Sequence, residues 1–229
     1  MDITRLGNPR PRRRPLDKRD VSWPTRRVLP LIPPISSDAP ACLRILGDRQ
    51  TRRAFRVLTA KQLSSFLWHA ARTRISYRDW NGRLFQSKPS PSAGGCHPHD
   101  LLIVRPSKQG LAAFIYDSNA HSLGELRCQK RDLRHFAKQV AQVVPNQSGT
   151  IIWLVGQPQR TANLYWNPES LLWRDAGALI AVMAIVAEAL NLSFCPVGIT
   201  GDLPLLRLLR RRDRLYGFGG AIVGGRVTG

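Results

Sequence analysis

Acidic side chains are scarce in this 229-residue chain: 15 Asp and Glu stand against 35 Lys and Arg, a formal charge of +20. An acidic, self-repelling disordered chain is excluded by that balance. Cysteine is scarce too. Cys42, Cys96, Cys128 and Cys195 form no CxxC pair, so neither a zinc module nor a disulfide scaffold is expected, and the default compartment is a reducing cytoplasm. Long apolar runs are missing. The longest, residues 176–187, is bounded by Asp175 and Glu188 and falls short of the roughly 18 residues of a membrane span, so it reads as a buried core helix. The first residues show no apolar core of a secretory signal, and no apolar stretch follows Arg13-Arg14 as a twin-arginine signal would need.

Hydrophobic residues make up 43% of the chain, enough for a folded body of about one domain with an appendage. The appendage is residues 1–40, with eight prolines and nine basic side chains. Proline removes amide donors and fixes φ, so this segment reads as an extended arm whose apolar part is residues 28–33. The body runs over 41–229. The positive excess extends through it, with a dense run at Arg207, Arg210, Arg211, Arg212 and Arg214. That charge points to anionic partners: nucleic acid, an acidic peptide, an anionic surface or a phosphorylated cofactor.

Thr59 suits an N-cap for a helix to about Thr73, with Leu63, Phe66, Leu67 and Ala70 on one face. Asn81-Gly82 marks a tight turn. Residues 101–104 and 111–116, joined by Pro106-Ser107-Lys108-Gln109-Gly110, predict an antiparallel hairpin. Residues 129–144 predict a helix with Leu133, Phe136, Val140 and Val143 inward. Residues 150–155 and 218–223 read as strands, and 171–190 as a long helix buried on all sides, in part against a second subunit. Without regular βαβ alternation the class is α+β.

Four stretches carry candidate chemistry. Arg49, Thr51 and Arg53, with Arg52 and Phe55, can hold a phosphate by charge-assisted hydrogen bonds. Pro91-Ser92-Ala93-Gly94-Gly95-Cys96-His97-Pro98 offers small residues that let backbone approach a flat ligand, or is a plain glycine turn. It is neither a Walker loop nor GxGxxG. Pro98 stiffens the stretch against Cys96, His97 and His99 converging, so no metal site is assigned. Asp175-Ala176-Gly177 opens the long helix, which leads to Cys195-Pro196-Val197-Gly198. Gly224-Gly225-Arg226 closes the chain's last strand.

In collinear order over residues 41–229, these blocks resemble the nitroreductase-like FMN flavoproteins, most closely the SagB-type (azoline) dehydrogenase branch. The resemblance implies an antiparallel-rich mixed sheet flanked by helices, a long central helix, and FMN in a cleft between the subunits of a homodimer. By match, Arg49, Thr51, Arg53 and Arg226 hold the phosphate, Pro91, Ser92, Ala93 and Gly94 line the ring, and Gly198 faces the reactive nitrogen. The branch's Lys-Tyr pair falls on Leu164-Tyr165. Tyr165 is therefore the candidate catalytic residue, and leucine cannot act as acid or base. The first reading is a dehydrogenase tailoring a peptide or other biosynthetic intermediate, with a peptide substrate and a cyclodehydratase-like partner. The second is an NAD(P)H-dependent nitro or quinone reductase. The third is a non-catalytic module on a flavin fold that binds an anionic macromolecule such as nucleic acid.

Overall fold

The computed structural model describes residues 10–13, 16, 23–32, 42–80, 82, 84–145, 148–201, 208–209 and 215–227. Arg207, Arg210, Arg211, Arg212 and Arg214 of the basic run lie outside them, as does Asn81. Its neighbour Gly82, at φ +75°, donates to the Asp79 carbonyl at 2.9 Å and closes the turn read from that pair.

A seven-stranded sheet forms the frame. Its strands are β2 (Thr25–Pro30), β5 (His99–Ser107), β6 (Gly110–Asp117), β7 (Ser122–Leu126), β8 (Thr150–Gly156), β10 (Leu192–Val197) and β11 (Tyr216–Gly225). Their spatial order is β10-β11-β8-β5-β6-β7-β2, and every described pairing is antiparallel. A short ribbon pairs β3 (Ile75–Arg78) with β4 (Leu84–Ser87), and another pairs β1 (Arg10–Pro11) with β9 (Tyr165–Trp166). The helices are α1 (Cys42–Asp48), α2 (Ala60–Ala71), α3 (Lys130–Val143), α4 (Pro158–Ala162) and α5 (Glu169–Ala189).

The period-two alternation of the central strands splits the core into two layers. Leu101 and Ile103 of β5, with Ile152 and Leu154 of β8, face one layer, packed by α2 and α5. Leu102, Val104, Ile151, Trp153 and Val155 face the other, packed by α3. Strand β8 is covered on both faces, which is why it reads as an unbroken apolar run.

Helix α2 starts where its cap places it. The Thr59 hydroxyl accepts from the Gln62 amide at 3.1 Å, and the Gln62 side chain accepts from the Thr59 amide at 3.0 Å. Leu63, Phe66, Leu67 and Ala70 are all buried, and each of the large ones contributes roughly 1.5–3 kcal/mol by leaving water. In α3, Leu133, Phe136 and Val140 are buried as expected, but Val143 is 47% exposed. The helix ends there, the chain turns extended at Val144, and Val144 fills the core position instead.

Within the single chain, one side of α5 is covered. Leu171, Leu172, Asp175, Ala176, Leu179, Met183 and Ala187 form one buried stripe against the sheet and α2. Trp173, Arg174, Gly177 and Ala181 are exposed. The helix is apolar nearly all round, long and apolar enough by length and composition to cross a membrane, yet this chain covers only one side of it.

Part of the proline-rich arm is a sheet edge. Strand β2 pairs with β7 from Thr25↔Leu126 to Pro30↔Ser122. Proline lacks a ladder donor, which an edge tolerates, and exposed Arg26 and Arg27 discourage further pairing. Further upstream, the arm crosses residues 162–166. The Arg12 amide donates to the Leu164 carbonyl at 2.6 Å, the Leu16 amide to Asn163 at 3.0 Å, and the Arg12 guanidinium lies 3.3 Å over the Trp166 ring.

Candidate active site

The stretch after α1 is laid along the end of β10 and β11. The Arg52 amide donates to the Phe194 carbonyl at 3.0 Å, and Arg56 and Gly225 exchange backbone hydrogen bonds at 2.9 and 2.8 Å. Gly224 makes this approach possible, because a Cβ there would sit 2.7 Å from Phe55 Cβ and 2.8 Å from the Arg56 carbonyl. Arg49, Thr51 and Arg53 are thereby carried, exposed, to the same end of the sheet as Arg226.

A carboxylate binds this cluster from within. Glu188, in the last turn of α5, accepts from Arg226 Nη2 at 2.7 Å and from Arg52 Nη1. Burial pushes the Glu188 carboxyl up, but the hydrogen bonds and charges of the two arginines outweigh it and hold the group below its ordinary value. Glu188 enters the sequence reading only as the boundary of the apolar run and not as a site residue. A lone acid in the last turn of an apolar helix was the available signal, because such an acid needs a cationic partner. Arg226 Nε is buried without a hydrogen-bond partner among the described residues.

The small-residue loop is fastened to the other end of α5. The Ser92 hydroxyl donates to Asp175 Oδ2 at 2.5 Å and accepts from the His97 amide at 2.9 Å. The Ala93 amide reaches the two Asp175 oxygens at 3.2 and 3.3 Å. Gly94 and Gly95 turn the loop at φ 59° and 63°, where a side chain would be strained. Burial raises the Asp175 carboxyl, opposed by the bonds from Ser92 and Ala93 and by the Arg174 charge. The blocks at 91–98 and 175–177 are thus one hydrogen-bonded unit.

Thirteen residues of α5 separate Asp175 from Glu188, about 20 Å of helix at ~1.5 Å per residue. Within one chain the cationic cluster and the small-residue wall therefore stand at opposite ends of the same helix, with its uncovered apolar face between them. Gly198 lies just beyond β10, exposed, with open space where a Cβ would project, and Gly177 on α5 has the same open front.

Tyr165 is half-buried in the two-residue strand β9, whose backbone pairs with the arm at Pro11. It does not line the large cavity beside it, whereas Leu164 does. That cavity, about 930 Å³, opens between the arm, the ribbon β3–β4 and the sheet. A second, about 30 Å³ and the size of one water, lies behind the loop at Ser90, Ser92 and Asp175. Lys88 lines both. Asp100, on the wall they share, accepts from Trp23 Nε1 at 2.6 Å, from Arg160 Nη1 at 2.8 Å, and from Gln157.

Cys96, His97 and His99 do not converge on a common point. His97 Nε2 meets the Gln86 carbonyl at 3.0 Å, while the His99 ring stands edge-on to Phe218 at 4.8 Å. Burial lowers His97 to about 4 and His99 to about 3, so both are neutral at pH 7. Among the described residues no three His, Cys, Asp or Glu side chains gather as a metal site.

The residues fit a flavin mononucleotide on three counts. Exposed arginines and a hydroxyl lie at the same end of the sheet as a buried Arg226 Nε that has no partner among the described residues, the loop 92–95 presents small residues fastened to α5, and Gly198 leaves open space.

The fold is an α+β architecture on an antiparallel sheet, and sequence comparison places it. Residues 47–212 match the model of the Nitroreductase family, and the chain belongs to that family. No curated protein matches it significantly in sequence. Among solved structures, it is similar to a protein described as a nitroreductase from Ralstonia eutropha JMP134, at 18% identity and TM-score 0.69, covering 97% of this chain and all of that one. It is similar to a chain of the E. coli microcin synthetase McbBCD complex with truncated pro-MccB17 bound, at 11% identity and TM-score 0.58, covering 93% and 79%. NfrA2 of B. megaterium follows the same fold at 12% identity and TM-score 0.53, covering 82% and 67%. At these identities the likenesses bear on fold alone.

Proposed function

We propose that the protein is an FMN-dependent oxidoreductase whose cofactor lies between two copies of the chain. The observation that carries this reading is the placement of the cationic cluster and the fastened small-residue loop at opposite ends of α5. A second copy packed on the open face of α5 brings the loop of one chain towards the arginines of the other.

In that arrangement Arg49, Arg53, Arg226 and the Thr51 hydroxyl bind the FMN phosphate, with Arg226 Nε supplying a donor that is buried and otherwise unused. Glu188 fixes the Arg226 guanidinium in place and leaves that edge free. Pro91, Ser92, Ala93 and Gly94 form the wall for the ring, and Asp175 holds Ser92 and Ala93 rigid beneath it. Gly198 keeps the approach to the ring open. Bound FMN supplies hydride transfer, and the protein contributes orientation and exclusion of water.

Two substrates classes divide on Tyr165. The SagB-type reading, a dehydrogenase acting on a peptide or other biosynthetic intermediate alongside a cyclodehydratase-like partner, is supported by the motif order and is consistent with the peptide-bound microcin synthetase among the fold neighbours. An NAD(P)H-dependent reductase of nitro compounds or quinones is supported by the sequence at that place: Leu164 stands where the branch's lysine is expected, and leucine cannot act as acid or base. Anaerobic addition of NADH or NADPH to flavin-loaded protein separates them. Rapid bleaching of the flavin supports the reductase, and an unbleached flavin supports the dehydrogenase.

A further inference from the structure

Lys88 and Arg78 are the basic side chains on the wall of the 930 Å³ cavity with no ion pair among the described residues. Arg160, which lines the same cavity, is paired with Asp100 at 2.8 Å. Arg78 donates to the Gly82 carbonyl at 2.7 Å on the exposed ribbon. The cavity's acids are already engaged. Asp100 is held by Arg160, Trp23 and Gln157, and Asp117 accepts from the Asn119 and Ala120 amides at 2.9 and 3.0 Å.

The charged and titratable groups facing Lys88 come from four elements: Arg160 on α4, Asp100 and His99 on β5, Asp117 on β6, and His97 in the loop. Burial and then the Arg160 charge lower its ammonium to about 8, against the opposite pull of Asp100 and Asp117. Among the described residues Asp117 faces Lys88 without a cation bound to it, so the wall's three cations, Lys88, Arg78 and Arg160, stand against two carboxylates, Asp100 and Asp117, and leave one net positive charge.

The rest of the wall is chemically mild. Leu16, Trp23, Val28 and Leu164 are apolar, while Ser118 and Asn119 offer neutral hydrogen bonds. A net positive charge on a wall that also carries apolar side chains complements a single negative charge on an apolar body. A phosphate dianion would ask for more donors than Lys88 alone offers. The cavity's size suits a small organic molecule.

We propose that this cavity is a binding site for a small carboxylate with an apolar body, anchored on the Lys88 ammonium and covered by the arm at Leu16 and Trp23. The site stands beside the flavin reading and does not rest on it. A bound carboxylate stabilises the charged lysine, so affinity is full below about pH 8 and falls as pH rises above it.

The test is calorimetric titration of the purified full-length protein with benzoate and with its neutral isostere benzamide, with FMN content read on the same samples. Benzoate is expected to bind at least tenfold more tightly than benzamide at pH 7, and its affinity to fall nearly tenfold per pH unit above about pH 8. Lys88→Met should abolish the preference, and Lys88→Arg should keep it while removing the fall near pH 8. Equal binding of the two probes, no binding of either, or an unchanged preference in Lys88→Met would overturn the proposal. Circular dichroism of both variants confirms that they are folded. A sample without FMN that still prefers benzoate counts against the flavin reading and leaves this site standing.

Discussion

Ser92 donates its hydroxyl to Asp175 at 2.5 Å, and this bond fastens the small-residue loop to the head of the central helix. Replacing Ser92 with Ala removes that bond and leaves the His97 amide without its acceptor. Hydrogen bonds to charged groups contribute about 1.5–3 kcal/mol, so Ser92→Ala should lower unfolding free energy by about that amount. Urea denaturation measures it. Flavin should also leave the variant more readily on dialysis, because the wall loses its rigid base. A variant as stable as the parent would show that the bond carries no load.

Glu188 links Arg52 and Arg226 across the foot of the same helix. Glu188→Ala leaves two guanidinium groups without their carboxylate, a loss of about 3 kcal/mol for a pair this enclosed. Its carboxyl is held below the ordinary 4.5, so the stability it contributes is present above that value and is lost as pH falls through the lower folded value. Urea midpoints between pH 6 and pH 3 should therefore fall less steeply in Glu188→Gln than in the parent.

Three buried histidines set a second acid response. Burial, the largest cause in each, lowers His97 and His121 to about 4 and His99 to about 3, from 6.5. A depressed folded value means that the contribution is complete above pH 6.5 and is lost as pH falls from there towards 4. The urea midpoint should decline over that window. His99→Phe, whose ring can keep the edge contact with Phe218, should flatten part of the decline. A midpoint constant from pH 7 to pH 5 would contradict it.

The proposed two-chain arrangement puts the second copy on the uncovered face of α5. Ala181 is exposed at its centre, between Gly177 and Ile185. Ala181→Glu puts a charge into that contact, and sedimentation velocity should show the dimer replaced by monomer, with flavin lost in parallel. A parent protein that sediments as a monomer with flavin bound would remove the two-chain arrangement.

How much of this was legible in the sequence varies with the physics. Thr59 and Gln62 announce α2 because a capping box is local, and β5–β6 is announced by its turn. Strand β2 was not recognised as a strand because its proline and arginines read as an unpaired arm, although they suit an edge. Strand β10 was hidden by Pro196 and by the short link after α5. The clamp residues were legible as a motif, but the grip of Glu188 on Arg226 joins positions 38 residues apart, and no local pattern reports it. Lys88 sits between Ser87 and Pro89 like any solvated lysine, and only the fold encloses it. The apolar circumference of α5 reads as burial on all sides, in part against a second subunit; this chain covers one side, and which side depends on the sheet.

The central claim, a flavin held by the arginines at the foot of α5, is tested most directly by the absorbance spectrum of the purified protein and of its Arg226→Ala variant after incubation with FMN and gel filtration. The parent should retain FMN close to one per chain. The variant should bind it roughly tenfold or more weakly, because a charge-assisted phosphate contact contributes about 1.5–3 kcal/mol. A parent protein that stays colourless after exposure to FMN, or a variant that holds FMN as tightly as the parent, would contradict the account.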